Sequence, residues 1–438
     1  MTTNSETPVD VQNPAESAQP LPKRPRLSLQ PLHLWLGVLV LVMAAGAAAG
    51  VIVLLNGLVV TNLTDLVPWG LWITVDLSSI AMSAGAFSLS AAVYLLGLKR
   101  LAPVARTATF IGLIGYSMAV LCLMLDIGRP ERFWHALVFW NPHSVLWEVT
   151  MCVTLYFTVL VIEVAPLFAN FPGLAQRLPW LAHRLEWLHK LAPVLALAGL
   201  ALSSLHQSSL GATYGVLKAR PIWYRPDLSV LFMLSAIIGG QALTVLASLI
   251  VARLRGLHVD EGALRSVTRF VGWALVAYLY LRFWDALSMT YTYLPGRTEG
   301  LRWLTRGPLA FNFWVIEMLL GAVIPALILL VPSLQSWRAG RWLALGLIVA
   351  GVVTYRWDTN LVGQLVILTY LPSEIVARYT SYVPSLVEIV SAAGIVAYGL
   401  LAFTLGARYL KVVEYAAEGK PVEHTSPQAQ PLPAPLAA

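Results

Sequence analysis

Between Arg106 and Asp126 the chain runs for nineteen residues without a charged side chain, and stretches of similar length recur almost to its end. A helix of about 20 apolar residues crosses the roughly 30 Å of hydrocarbon in a bilayer. Only structures that satisfy their own backbone hydrogen bonds can do so. These runs are continuous rather than alternating, which selects helices over a barrel. Composition agrees: 58% of the 438 residues are hydrophobic and 12% charged, where a soluble domain carries about 25% charged. Ten segments qualify, at 33–60, 69–97, 105–126, 144–168, 190–210, 228–252, 266–290, 309–332, 341–363 and 384–410. The ninth is the weakest, because TYRWDTN (354–360) interrupts it near its end. The expected fold class is therefore all-α, a polytopic membrane bundle of about ten transmembrane helices in residues 31–412.

Charge sets the expected orientation. With both termini inside, the Lys and Arg residues of the connecting segments favour the inner side by about two to one, and every inner loop carries some. Residues 1–30, polar, Pro-rich and ending in KRPR, and residues 413–438 are expected to be disordered cytoplasmic tails. No cleavable signal peptide is expected, since the first apolar run starts only near His33 and is too long. The net charge of +7 is spread over short loops without a basic stripe, so no nucleic-acid partner is indicated. The outer loops, such as FWHALVFWNPH (133–143) and ARPIWYRPDL (219–228), are aromatic and rich in arginine for their side, so something there uses those arginines.

An ionisable side chain within a span costs roughly 2.5–3.5 kcal/mol on insertion scales, so each one calls for a reason. Those within or at the ends of spans are Asp76, Asp126, Glu148, Glu163, His206, Arg282, Asp285, Glu317, Arg356, Asp358 and Glu388. All but Glu163 fall in the outer half. Arg282 and Asp285, three residues apart, share a helical face and neutralise one another on the plainest reading. Glu388 suits a helix N-terminus. Glu163 either snorkels to the inner interface or belongs to a proton route. Glu148 and His206 are deeper and have no partner near in sequence.

Redox groups of the chain's own are not expected. Cys122 and Cys152 are too few for an iron–sulfur cluster and read as small core residues. Of the eight histidines only His206 lies inside a span on the outer side, so no facing pair exists for a b-type haem. No metal-ligand cluster, phosphate-cradling Gly-rich loop or nucleophile elbow is present.

VPWGLWITVDL (67–77), LDIGRPERFW (125–134), NPHSVLWEVTMC (141–152) and LHQSSLG (205–211) together resemble the NrfD/PsrC family of quinone-interacting membrane subunits. LRFWD (281–285) and TYRW (354–357) are most similar to its HybB-like branch, and the likeness covers about residues 33–410. The resemblance implies a multi-pass subunit of the cell's inner membrane that exchanges electrons between membrane quinone (menaquinone or ubiquinone) and a four-cluster iron–sulfur protein docked on the outer face. That protein would contact a catalytic subunit: a NiFe hydrogenase, a molybdopterin enzyme or a multihaem cytochrome. The positions matching the family's quinone site are Asp126, Arg129, Glu148, His206, Arg282, Asp285 and Arg356.

The side chains suit such chemistry. Quinone reduction takes two electrons and two protons, so a pocket needs groups that hydrogen-bond the carbonyl oxygens and move protons. Imidazole, with an ordinary pKa near about 6.5, serves such a relay, and so does a carboxyl group in a low-dielectric site. His206 and Asp126 are expected to flank the head group, with Arg129 orienting the acid or meeting the partner. Arg282, Asp285 and Arg356 join the quinone-binding set. Glu148 is the first proton relay inward, continued through Asp76, Glu317 or Glu163, with proton translocation as a further expectation. Arg132 and His135 are placed to meet the iron–sulfur protein. The alternative is a secondary transporter using the buried charges for an ion-coupled solute. However, no repeat relates helices 1–5 to 6–10, and the charges lie toward one face rather than the midplane.

Overall fold

Ten helices of 19 residues or more account for the ten apolar segments among the described residues. The computed structural model describes residues 29–169, 171, 174–257, 260–410 and 412–413. The stretches expected to be disordered tails lie almost wholly outside the described residues. In chain order the helices are α1 (Leu29–Asn56), α2 (Leu71–Tyr94), α3 (Ala102–Asp126), α4 (Val145–Ala169), α5 (Ala192–Gly215), α6 (Asp227–Arg255), α7 (Glu261–Tyr291), α8 (Asn312–Leu330), α9 (Arg338–Leu365) and α10 (Leu386–Tyr409). Nine are long and apolar enough to cross a membrane. The exception, α9, has 28 residues and owes its polarity to side chains turned into the bundle. TYRWDTN does not interrupt it. Arg356 finds its partners on α6, and Asn360 finds its own at the start of α2, so the helix continues to Leu365.

Helices α2 and α6 form the centre, enclosed by α3, α5 and α9, while α1 and α4 stand at the periphery. In lipid, close helix contact rests on small residues rather than on expulsion of water. A Cβ on Gly85 would come 2.7 Å from the Gly240 carbonyl oxygen, so α2 and α6 touch backbone to backbone. The same device joins the two ends of the chain. α1 lies antiparallel to α10, Trp35 Nε1 donating to Thr404 Oγ1 (3.3 Å), and a Cβ on Gly46 would overlap the Gly394 Cα. Leucine at Gly46 is therefore expected to push α1 off α10. The expected cost is about 1–3 kcal/mol, read as a lowered melting temperature in detergent and faster proteolysis near residue 56.

One element departs from the all-helical expectation. After α9, β1 (Val366–Tyr370) pairs antiparallel with β2 (Ile375–Tyr379), Val366 opposite Tyr379. VILTY and IVARY are dominated by β-branched and aromatic residues, which fit a pleated ribbon. The stacking of Tyr379 on Trp303, centroids 4.5 Å apart, fixes the ribbon to the helices.

The basic residues sort by end. Arg100 donates to Ser266, Arg255 to the Ala407 carbonyl and Arg341 to Glu261, which gathers the starts of α3, α7 and α9 and the ends of α6 and α10 at one end of the bundle. Asp126, the β-ribbon and the loop 219–227 lie at the other. The chain enters α1 and leaves α10 at the basic end, as an even number of spans requires.

Candidate functional site

The polar side chains within the spans form two groups. The first lies between α2, α3, α4 and α5. Tyr116 on α3 and His206 on α5 are both 0% exposed, and the tyrosine oxygen lies 2.6 Å from His206 Nδ1. Nε2 of the same ring is buried without a partner. Gln207 donates through Nε2 to the Ile80 carbonyl at 2.9 Å, leaving its Oε1 unpartnered, and the Ser203 hydroxyl one turn before His206 meets the hydroxyls of Tyr116 and Tyr156. Toward the outer end come Asp76 and then Asp126, within electrostatic reach of one another, each with a buried Oδ1 that has no partner. Glu148, half-buried on α4, accepts from Ser209 on α5 at 2.7 Å. Buried polar atoms are normally paired, and each orphan carries a cost of about 1–3 kcal/mol. Four line this side of the bundle, two beside Tyr116 and two toward the outer end, and mark a place suited to bond something beyond the chain itself.

The second group lies between α6, α7, α8 and α9; its carboxylates and Arg282 pair with one another, while the Tyr355 hydroxyl and Asp358 Oδ2 are buried without a partner. Arg282 bonds Glu317 through Nε at 2.9 Å and Asp285 through Nη1 at 2.8 Å. Asp285 also receives Arg225, Nε to Oδ1 2.6 Å, and Glu317 receives the Tyr278 hydroxyl at 2.7 Å. Glu317 and Asn312 sit on Asn312–Val323, a π-helical stretch whose wider turn is common at functional positions. Asn312 donates to Asp358 at 3.1 Å. Arg356, 0% exposed, stacks on Phe232 at 3.8 Å and donates through Nη2 to the Phe232 carbonyl, while its Nε and Nη1 have no partner.

A polar and aromatic wall separates the groups at the outer end. The Tyr214 hydroxyl donates to Asn360 Oδ1 at 3.0 Å, and Asn360 Nδ2 reaches the carbonyl of Trp69 at 2.9 Å. Gln364 bonds Trp69 both ways, and Arg220 ties this wall to the loop before α2 through the Leu66 carbonyl at 3.0 Å. Partial burial of Arg220 pulls its guanidinium somewhat below its ordinary range. Beside it Glu388 caps α10, accepting from the backbone amides of Ser385 (2.9 Å) and Asn62 (3.0 Å) and from the Tyr382 hydroxyl. That is the helix-terminal role its position suggested. Burial, reinforced by the Glu388 carboxylate, pushes the Tyr382 hydroxyl well up, so it remains a donor.

The structure thus divides the expected set. His206 and Asp126 share the first group, but not one short contact. Ten residues of α3 separate Asp126 from Tyr116, about 15 Å of helix, with Asp76 between these levels. Arg129 is exposed, and among the described residues no hydrogen bond or ion pair joins it to Asp126. Glu317, expected to continue a relay from Glu148, is a partner of Arg282 in the second group. Arg282, Asp285 and Arg356 also lie there, across the wall from His206. Arg282 and Asp285 do bond each other, as their spacing implied, yet each has a further partner. Glu163 sits toward the basic end, accepting from Ser90 at 2.8 Å.

Sequence reasoning missed Tyr116, Gln207, Arg225 and Asn360. Only the excess of arginine in 219–228 pointed toward Arg225. Cys122 and Cys152 are buried free thiols. Among residues whose burial is described, no histidine besides His206 is buried.

Comparison with known proteins agrees with this architecture. The family model described as "Polysulphide reductase, NrfD" matches residues 59–368. The integral membrane subunit of a menaquinone reductase from Nitratidesulfovibrio vulgaris is 32% identical, over 95% of this chain and 99% of its own. A selenate reductase subunit from Mesobacillus selenatarsenatis is 26% identical over 86% of this chain and 94% of its own. A probable Ni/Fe-hydrogenase 2 b-type cytochrome subunit from Escherichia coli is 27% identical over 81% and 86%. A ten-helix bundle, a family match across most of the spans and full-length likeness to subunits of redox complexes lead to one assignment: this multi-pass membrane protein belongs to the NrfD family.

Proposed function

We propose that the protein is the quinone-reactive membrane subunit of a respiratory redox complex, and that the first polar group is its quinone site. One observation carries this reading: the buried Nε2 of His206, unpartnered beside the unpartnered Gln207 Oε1. With Nδ1 accepting from Tyr116, Nε2 carries the hydrogen and donates to a quinone carbonyl. Protonation of the reduced head group then draws on His206 and the Tyr116 hydroxyl behind it. Asp76 serves the other carbonyl, and Asp126 passes protons between Asp76 and the outer loops. Glu148, through Ser209, is the alternative supply, and Glu163 extends the polar line toward the basic end, which supports proton translocation. Arg282, Asp285, Glu317 and Arg356 hold the second polar group together rather than the head group.

The bound substrate is menaquinone or ubiquinone, with menaquinone favoured by the name of the 32% identical relative. A b-type haem is not part of the proposal, since a bundle haem takes two facing histidines and His206 is the only histidine buried among residues whose burial is described. Electrons pass to or from an iron–sulfur protein at the end bearing Asp126, which bears on a catalytic subunit of the reductase or hydrogenase kind. That end presents Phe133, Trp134, Phe139 and Trp140, all more than two-fifths exposed, beside Arg129, Arg132 and His135. The basic end faces the cytoplasm of a cell bounded by this inner membrane.

Purification in mild detergent from native membranes tests the reading. An iron–sulfur protein is expected to co-elute, with extractable quinone near one per complex. A chain recovered alone, without quinone, from membranes that hold the intact complex would overturn it.

A further inference from the structure

At the basic end, α7, α8, α9 and the turn between the last two line an open cavity of about 290 Å³ whose polar lining includes Arg265, Arg269, Arg341, Ser266 and Gln335. It has no part in the redox chemistry above. Arg341 is nine-tenths buried; its Nη1 holds Glu261 at 2.9 Å, while its Nε is buried at the cavity without a partner. Arg265 and Arg269 stand one turn apart on α7, both exposed, and among the described residues neither has an acidic partner. Arg100 reaches the same rim through Ser266 at 3.0 Å. Three guanidinium groups thus line the cavity and a fourth touches its rim, while Glu261 holds Arg341 and the neighbouring Asp260 is taken up in capping α7.

We propose that this cavity is a binding site for the headgroup of an anionic phospholipid. Guanidinium groups bind phosphate oxygens in forked pairs, and basic pockets between helices at the cytoplasmic end of spans suit such headgroups. A free phosphate would satisfy the same arginines. The surroundings favour the lipid: Phe270, Trp273 and Leu327 lie just beyond the cavity on α7 and α8, each more than half exposed, where acyl chains would run. The phosphate would bridge Arg265 and Arg269 and accept from the buried Arg341 Nε.

Native mass spectrometry of the delipidated full chain tests this, titrating phosphatidylglycerol, phosphatidylcholine or inorganic phosphate. The wild type is expected to retain phosphatidylglycerol at least about tenfold better than phosphatidylcholine, since each arginine near the surface contributes on the order of 1 kcal/mol. R265Q/R269Q should lose about that factor, while R265K/R269K keeps most of it and R302Q, exposed at the opposite end, loses none. Both replaced arginines are exposed, so the variants should melt with the wild type in lipid-free detergent. Equal retention of the two lipids, or unchanged retention in R265Q/R269Q, overturns the site. Full competition by inorganic phosphate at the lipid's own concentration overturns the lipid as its ligand.

Discussion

His206→Leu is expected to slow quinone-linked turnover of the assembled complex by about 10²-fold or more, the usual contribution of a positioned acid–base group. Electron transfer from the same complex to a soluble dye should not change. Leucine fills the space of the ring, so packing between α3 and α5 survives and the loss reads as chemistry. Tyr116→Phe removes only the hydroxyl that holds Nδ1, and a smaller loss of about tenfold is expected. With both changes present the losses should fall well short of multiplying, because the two side chains act as one unit. Normal quinone turnover in His206→Leu would remove the histidine from the site. An equal fall in dye-linked turnover would mean that the complex had come apart instead.

Arg282→Met is expected to cost about 3–5 kcal/mol of stability, the typical penalty for removing one partner of a buried ion pair. The guanidinium holds Glu317 and Asp285 together. Asp285 keeps Arg225, so the stranded group is Glu317, left with the Tyr278 hydroxyl alone. Arg282→Lys should recover only part of the loss, since an ammonium group cannot reach two carboxylates in the forked geometry. Arg282→Met with Glu317→Leu should recover most of it, because no uncompensated charge then remains. Thermal unfolding in detergent provides the measurement, and a cost below about 1 kcal/mol would mean that water reaches the cluster.

Spans were legible because their signal is local: an uncharged run near twenty residues long has one stable outcome in lipid. Glu148 and His206 stood out for the same reason, as polar side chains in apolar surroundings. Tyr116 did not, since a tyrosine within a span looks like ordinary core until α5 supplies the imidazole 90 residues away. Arg225 reads as a loop residue because the loop's fold back onto α7 is not written in its own sequence. The grouping of Arg356 with His206 came from resemblance and depth. Depth gives a level along the membrane normal, and the wall of Tyr214, Asn360 and Gln364 divides the bundle sideways at that level. The apparent break at TYRWDTN has the same origin, since the partners of Arg356 lie on another helix.

The antiparallel seam between α1 and α10 also fixes an order of events during synthesis. Helix α1 finds its main neighbour only when α10 arrives, 348 residues later by the numbering of Gly46 and Gly394. Insertion and folding therefore run on separate clocks: while α2 to α9 assemble, α1 has only its outer end, through Val53, to set against Trp72 and Leu125. The seam is the final closure of the molecule. A ribosome that stops short of α10 leaves a bundle whose core is built but whose first helix is held at its outer end alone.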